Sequence, residues 1–447
     1  MGDETHESEA SARHSSHVHV TLEGRPDRRL IEPAGSVRHI DFHLQVSHVA
    51  IDASRPRTPL ALALVLDRSG SMHGEKLRMA KRAALSVLDQ LDERDRVALV
   101  IFDDQIDTIQ PAAAVTPTIK AHAHAALARI EARGSTALHE GWLNGCNAIV
   151  EERASTSEHR LARCFLLTDG LANVGITDVE QIASQAGGIR HRAGVGTSTF
   201  GIGADYNEAL LAQMAAAGGG EFYHLRTAEE IARTFIGELD ELLGSAAGNA
   251  RLEIETLPDV HVEPLGAYHL LPADGARRSM AIGDLLSGEE RHIIVRVGFP
   301  VRSAEDACPV RARAVWTADG SEYRTEWQEL PFQYASHAAC QAEHPDPMVM
   351  HWVWLDQAES AQREALRQSR NGDWLGAQAL AQAAAKVIAE HVDDDPELRV
   401  RLEELQQLDA ELAHGPLPSL LSKEAYYRSQ SRSRGKGGRD FRGTPQP

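Results

Sequence analysis

Between residues 58 and 244 the chain alternates two kinds of segment, and this constrains the fold more than anything else in its 447 residues. Uninterrupted apolar runs, LALALVLD, RVALVIF, CFLLTDG and VGTSTFGIG, are separated by stretches with apolar residues three and four apart. The latter include EKLRMAKRAALSVLDQL, LHEGWLNGCNAIVEERA and YNEALLAQMAAA. A strand that is apolar on both sides must be buried on both faces. The alternation therefore predicts an α/β unit, a parallel sheet covered by helices on each side. The longest apolar run, Pro59 to Leu66, stops at Asp67 and is too short to cross a bilayer.

The flanks have a different rhythm. From His17 to about Ala53, HVHVTL and HIDFHLQVSHVAI alternate at period two and read as three short strands. After the GSAAG break at 244–248 the same period returns in ARLEIETLPDVHVEPL, RSMAIGDLL, EERHIIVRVGFPV and VRARAVWTA. The early strands have no core of their own, so they are expected to pair with the later ones. Segments 17–57 and 245–332 would then form one β-sandwich into which the 58–244 unit is inserted. Residues 346–413 read as a small helical region, with Asp before Pro in DDDP as a helix start and an Ala-rich middle suited to close packing or docking.

Charge divides the chain again. The formal net charge is -19, while residues 415–447 carry seven Lys/Arg (Lys423, Arg428, Arg432, Arg434, Lys436, Arg439, Arg442) against Glu424 and Asp440, a net of +5. The rest is thus near -24, which argues against a general nucleic-acid coat and leaves nucleic acid as a partner only through 415–447. That Gly/Ser/Arg-rich tail and the polar 1–16 leader are both expected to be disordered. Cys146, Cys164, Cys308 and Cys340 are isolated and read as buried reduced thiols. The start of the chain lacks the basic and apolar regions of a signal peptide, so cytoplasmic residence without a membrane partner is the expectation.

The chemistry gathers where the first apolar strand ends. In open parallel sheets ligands bind at the carboxyl ends of the strands, and here Asp67 is followed by Ser69, Gly70 and Ser71. The loop ARGSTALHEG brings Thr136, and the strand CFLLTDG ends at Thr168-Asp169-Gly170. Two carboxylates and three hydroxyls are hard oxygen donors that suit Mg2+, with Mn2+ or Ca2+ as alternatives. Asp67 alone reads equally well as a helix cap; the ordered set of three loops does not.

These motifs resemble the von Willebrand factor type A (VWA) domain of the bacterial type, which reads DxSGSMxGxK, then GSTxLxxG, then LLTDGxANxG. The resemblance covers about residues 58–240. It implies a Rossmann-like fold with a metal-ion-dependent adhesion site (MIDAS). The implied coordinating residues are Asp67, Ser69, Ser71, Thr136 and Asp169, with Gly70, Gly134 and Gly170 shaping the loops. Ser69 and Ser71 would bind the ion directly, and the aspartates directly or through water. A Glu or Asp of a protein partner would take the open position.

The implied role is a metal-dependent protein–protein interaction module, an adaptor or scaffold in a cytoplasmic complex, or else a regulator of an AAA+ ATPase. Arg68 occupies a variable position expected to face out, and His73 and His139 are expected to face solvent. Mg2+-dependent phosphoryl transfer is the enzymatic alternative. The chain lacks GxxxxGK[ST] and any GxGxxG following a strand, so no enzyme is expected.

Overall fold

The computed structural model describes residues 18–47, 59–155, 160–203, 205–226, 228–243, 245–266, 268, 270–271, 276–303, 306–318, 321–392 and 395–417, together with Lys423, Ala425 and Tyr427. The leader 1–16 and most of 415–447 lie outside the described residues.

The chain opens with strands β1 (Val20–Pro26), β2 (Leu30–Ile31) and β3 (Ser36–Val46). The α/β unit follows: β4 (Leu60–Asp67), a 3-10 turn (Gly70–Met72), α1 (Glu75–Gln90), β5 (Arg96–Phe102), β6 (Ile106–Ala114), α2 (Pro117–Ala128) and α3 (Leu138–Ser155). It continues with β7 (Leu161–Thr168), α4 (Val179–Ala193), β8 (Val195–Ile202), α5 (Glu208–Ala217), β9 (Gly219–Leu225) and α6 (Ala228–Leu243). Then come β10 (Ser245–Glu255), β11 (His261–Pro264), β12 (Arg277–Leu286), β13 (Glu290–Phe299), β14 (Val310–Ala318), β15 (Ser321–Arg324), β16 (Gln328–Leu330) and β17 (Gln333–Tyr334). Helices α7 (His337–Ala342), α8 (Pro347–Arg370), α9 (Trp374–Ala389) and α10 (Pro396–Leu412) close the described chain.

The α/β sheet has the order β6-β5-β4-β7-β8-β9. It is mixed rather than all-parallel: β6 runs antiparallel to β5 as a hairpin around Asp103-Asp104-Gln105. Its half-exposed alternation and Pro111 suit an edge, where a missing donor is tolerated. Along β4 the two faces differ in size. Leu60, Leu62, Leu64 and Leu66 pack with α1 and α6, while Ala61, Ala63 and Val65 lie under α3. The small residues bring α3 close. A Cβ at Gly145 would stand 2.3 Å from Val65, and one at Gly141 2.5 Å from Phe102.

Two antiparallel sheets flank this unit, β1-β3-β13-β11 and β12-β10-β14-β15, the latter with β16 beside β14. β3 pairs with β13 from Ser36↔Phe299 to Gln45↔Glu290, so the strands on either side of the α/β unit share a sheet. Apolar side chains from both sheets, among them Ile40, Phe42, Leu252, Ile254, Met280 and Val295, form one cluster. Asp284 on β12 accepts from Arg163 on β7 and Arg190 on α4, and ties these sheets to the α/β unit.

Helix α8 spans about 36 Å and touches both bodies. Val349 and Val353 pack with Ile294 of β13, while Ala365 and Leu366 join the core under α5, with Ala377, Ala381, Leu408 and Leu412 of the next two helices. Tail residues differ from the expectation of a wholly free basic segment: Lys423 is buried, and Ala425 and Tyr427 pack against the α/β core. All four cysteines are buried. Among the described residues no helix is long and apolar enough to cross a membrane.

Candidate metal centre

The order β5-β4-β7 makes the gap between β4 and β7 the switch point of the sheet, because the chain leaves β4 toward one edge and returns on the other side at β7. Crevices of that kind are where open α/β sheets bind ligands. Asp67 ends β4 and Asp169 follows β7, and both are fully buried.

The first loop is held by its own carboxylate. Asp67 Oδ1 accepts from the Ser69 N–H at 2.7 Å and Oδ2 accepts from Thr168 Oγ1 at 2.5 Å. Ser69 Oγ lies 3.1 Å from Ser71 Oγ, and Ser71 Oγ donates to Asp169 Oδ1 at 2.7 Å. Four of the five predicted residues therefore form one hydrogen-bonded chain across the switch point, with the Ser69 N–H as its link to Asp67.

Thr136 enters through backbone pinning. The Gly70 N–H donates to Gly134 O at 3.2 Å, and the Thr136 N–H donates to Asn173 Oδ1 at 2.8 Å. In return Asn173 and Val174 N–H donate to Thr136 O at 3.2 and 3.3 Å. Gly134 takes a left-handed φ of 70°, which favours glycine. Gly170 marks the convergence: a Cβ there would lie 3.3 Å from Thr136 Oγ1 and 3.4 Å from Ser71 Oγ, so a bare backbone leaves room between the donors.

Burial, with a smaller push from the charge of Asp169, raises the Asp67 carboxyl to about 6, against the hydrogen bonds from Thr168 and Ser69. Two carboxylates withdrawn from water call for positive charge. Lys76, on the first turn of α1, supplies some by pairing with Asp169 Oδ2. Among the described residues no three His, Cys, Asp or Glu side chains gather as a metal-holding group. A cation in this crevice would rest on two carboxylates and three hydroxyls, a hard donor set that fits Mg2+ and not a soft ion.

Two expectations are corrected. Arg68 does not face out: it is buried, with Nε 3.0 Å from Asp103 Oδ2 and a second pair to Asp107, so it fastens the end of β4 to the β5–β6 hairpin. Arg133 shares Asp103, with Nε at 2.7 Å. His139 is also buried, its Nε2 2.7 Å from Gln185 Oε1 on α4, while His73 is exposed. Sequence reading assigned no role to Thr168, Lys76 or Asn173. All three stand inside the quoted motifs: Thr168 and Asn173 in LLTDGxANxG and Lys76 as the Lys of DxSGSMxGxK.

Comparison with known proteins bears on the fold that carries these loops. Residues 61–236 match the von Willebrand factor type A domain family and form such a domain. The chain is similar to an uncharacterized protein of Synechocystis, 30% identical over 271 residues, covering 57% of this chain and 61% of the relative. It is also similar to the uncharacterized protein YfbK of Escherichia coli, 29% identical over 218 residues, covering 48% of this chain and 37% of the relative. The chain thus spans less than two thirds of the length of these two curated relatives. The solved structure of a von Willebrand factor type A protein from Catenulispora acidiphila superposes with a TM-score of 0.68 at 16% identity, covering 91% of this chain and 98% of that one. At that identity the likeness shows the fold alone.

Proposed function

We propose that the crevice between β4 and β7 holds a divalent cation, Mg2+ by the chemistry of its donors, and that an acidic residue of a protein partner completes the coordination. The observation that carries this reading is the convergence of Asp67, Ser69, Ser71, Thr136 and Asp169 from three mutually pinned loops, with both carboxylates buried.

When bound, the ion supplies a local positive charge that accepts a partner carboxylate. The chain's own residues supply the rest. Thr168 and the Ser69 N–H orient Asp67, Ser71 orients Asp169, and the Asn173 bridge holds the Thr136 loop against the loop after β7. Leu171 and Val174, both exposed on that last loop, border the site. The body outside the basic tail has a charge near -24 and would repel acidic surfaces in general. Binding would then depend on a carboxylate placed on the ion, with little affinity for acidic proteins at large.

This makes the protein a binding module, an adaptor or scaffold in a cytoplasmic complex, and not an enzyme. Four buried free thiols suit a reducing compartment. The test is capture of partners by wild type and Asp67→Ala, each with Mg2+ and with EDTA. Partners held only by wild type with Mg2+ support the reading, and an identical set in all four arms contradicts it.

A further inference from the structure

We infer that Lys76 is the built-in counter-cation of this site, seated on Asp169 while no ion is bound and displaced when a divalent cation enters. The inference rests on the metal-bridge reading above and adds an exchange step to it.

Charge balance is the starting point. Asp67 and Asp169 are fully buried at one crevice, and a buried carboxylate without a compensating charge is costly. Ser71 and Thr168 donate hydrogen bonds to the two carboxylates, but like the neighbouring Ser69 and Thr136 they bring no charge. The neighbouring guanidinium groups are turned elsewhere, because Arg68 and Arg133 both bind Asp103. Among the described residues, Lys76 is the cation paired with a carboxylate of the crevice. It takes Asp169 Oδ2 while Ser71 takes Oδ1, so both oxygens of that carboxylate are engaged.

The manner of its seating suits departure. The Lys76 side chain is 32% exposed whereas Asp169 is sealed, so the lysine has a route to solvent that the carboxylate lacks. Gly203 lies alongside with no side chain: even a Cβ built there would stand 3.7 and 3.8 Å from Lys76 Cε and Nζ, so that glycine does not clamp the lysine. A lysine is a flexible, strongly hydrated point charge. It can leave without the bidentate geometry that an arginine would surrender. An incoming divalent ion brings two charges and several coordination positions to the same oxygens, which a single ammonium cannot match. The lysine therefore offsets one of the two carboxylate charges in the metal-free protein, and an incoming ion must compete with it for Asp169.

Calorimetric titration of MgCl2 into wild type, Lys76→Met and Lys76→Arg, with thermal melts of each at zero and saturating Mg2+, tests this. Removing a competing cation tightens Mg2+ binding, by roughly three- to tenfold for a charge-assisted pair of this exposure. The Lys76→Met protein melts lower than wild type without Mg2+ and gains more on adding it. Lys76→Arg, which keeps the charge, does not tighten. Unchanged or weaker Mg2+ binding in Lys76→Met, with wild type binding normally, overturns the exchange and leaves the metal reading standing. No binding to any of the three proteins overturns both.

Discussion

Lys423 Nζ donates to Glu208 Oε2 at 2.7 Å, joining residues 215 positions apart, and both side chains are buried. The same ammonium donates to the backbone oxygen of Tyr206 and lies 4.2 Å from the centre of that ring, while Arg370 of α8 takes the other Glu208 oxygen. A residue of the basic tail and the end of α8 are thus fastened to the first turn of α5. Tyr206 lies three residues beyond Gly203, which borders Lys76 at the metal crevice. Lys423 of the tail is thus tied to the segment that follows β8 at the carboxyl edge of the sheet.

Replacing Glu208 by Gln removes the anion from the buried Lys423 and from the solvent-exposed Arg370, a change that costs about 3–5 kcal/mol when the geometry stays closed around the lysine and less when the tail lets go. Trypsin reports which occurs. Cleavage after Lys423 should be slow in wild type and accelerate at least tenfold in Glu208→Gln, before the rest of the protein is cut. Equal rates would mean that the pair does not hold the tail.

Asp284 is the corresponding node between the α/β unit and the flanking sheets. Burial alone would raise its carboxyl, but Arg190 and Arg163, with the Asn249 N–H, overcome this and hold it well below the usual carboxylate range. A group depressed in this way stabilises the fold above its unfolded pKa, and that stability is lost as pH falls through the acid range. Asp284→Ala leaves two arginines side by side in a buried position. It should cost about 3–5 kcal/mol at pH 7, read as a lower denaturant midpoint. A midpoint within error of wild type would contradict the assignment.

Asp356, on the α8 face toward β3, has the opposite sign. Burial, with the charges of Glu359 and Asp41, raises its carboxyl from an ordinary 3.8 to about 8, against the pull of Arg363. Between those values the folded state holds a proton that the unfolded chain has released, so stability falls as pH rises from about 4 to about 8. Asp356→Asn should remove that decline and gain about 1–2 kcal/mol over wild type near pH 8, a figure reduced because the residue keeps part of its surface in water. Melting curves across that range check it. Parallel curves for the two proteins would show that Asp356 stays ionised.

The site was legible because its chemistry is local. Asp67, Ser69 and Ser71 sit within five residues of a strand whose apolar run leaves no doubt about burial, and Asp169 repeats the pattern on the neighbouring strand. What escaped depends on distant partners. Arg68 looked outward until the β5–β6 hairpin brought Asp103 and Asp107 to it. The pairing of Lys76 reaches across 93 residues to Asp169. Strand β6 was missed because partial alternation and Pro111 blur its period, and β9 because its start is glycine. Lys423 was counted as part of a solvated tail on composition alone, yet composition says nothing of the buried Glu208 waiting for it.

The most direct measurement of the central claim is the affinity for Mg2+ of wild type, Ser69→Ala and Asp169→Ala by calorimetric titration at pH 7. The account predicts one ion per chain in wild type and a loss of at least tenfold in each variant, with the melting temperatures of the metal-free variants showing that they remain folded. No saturable binding by wild type, or equal binding by all three, would contradict it.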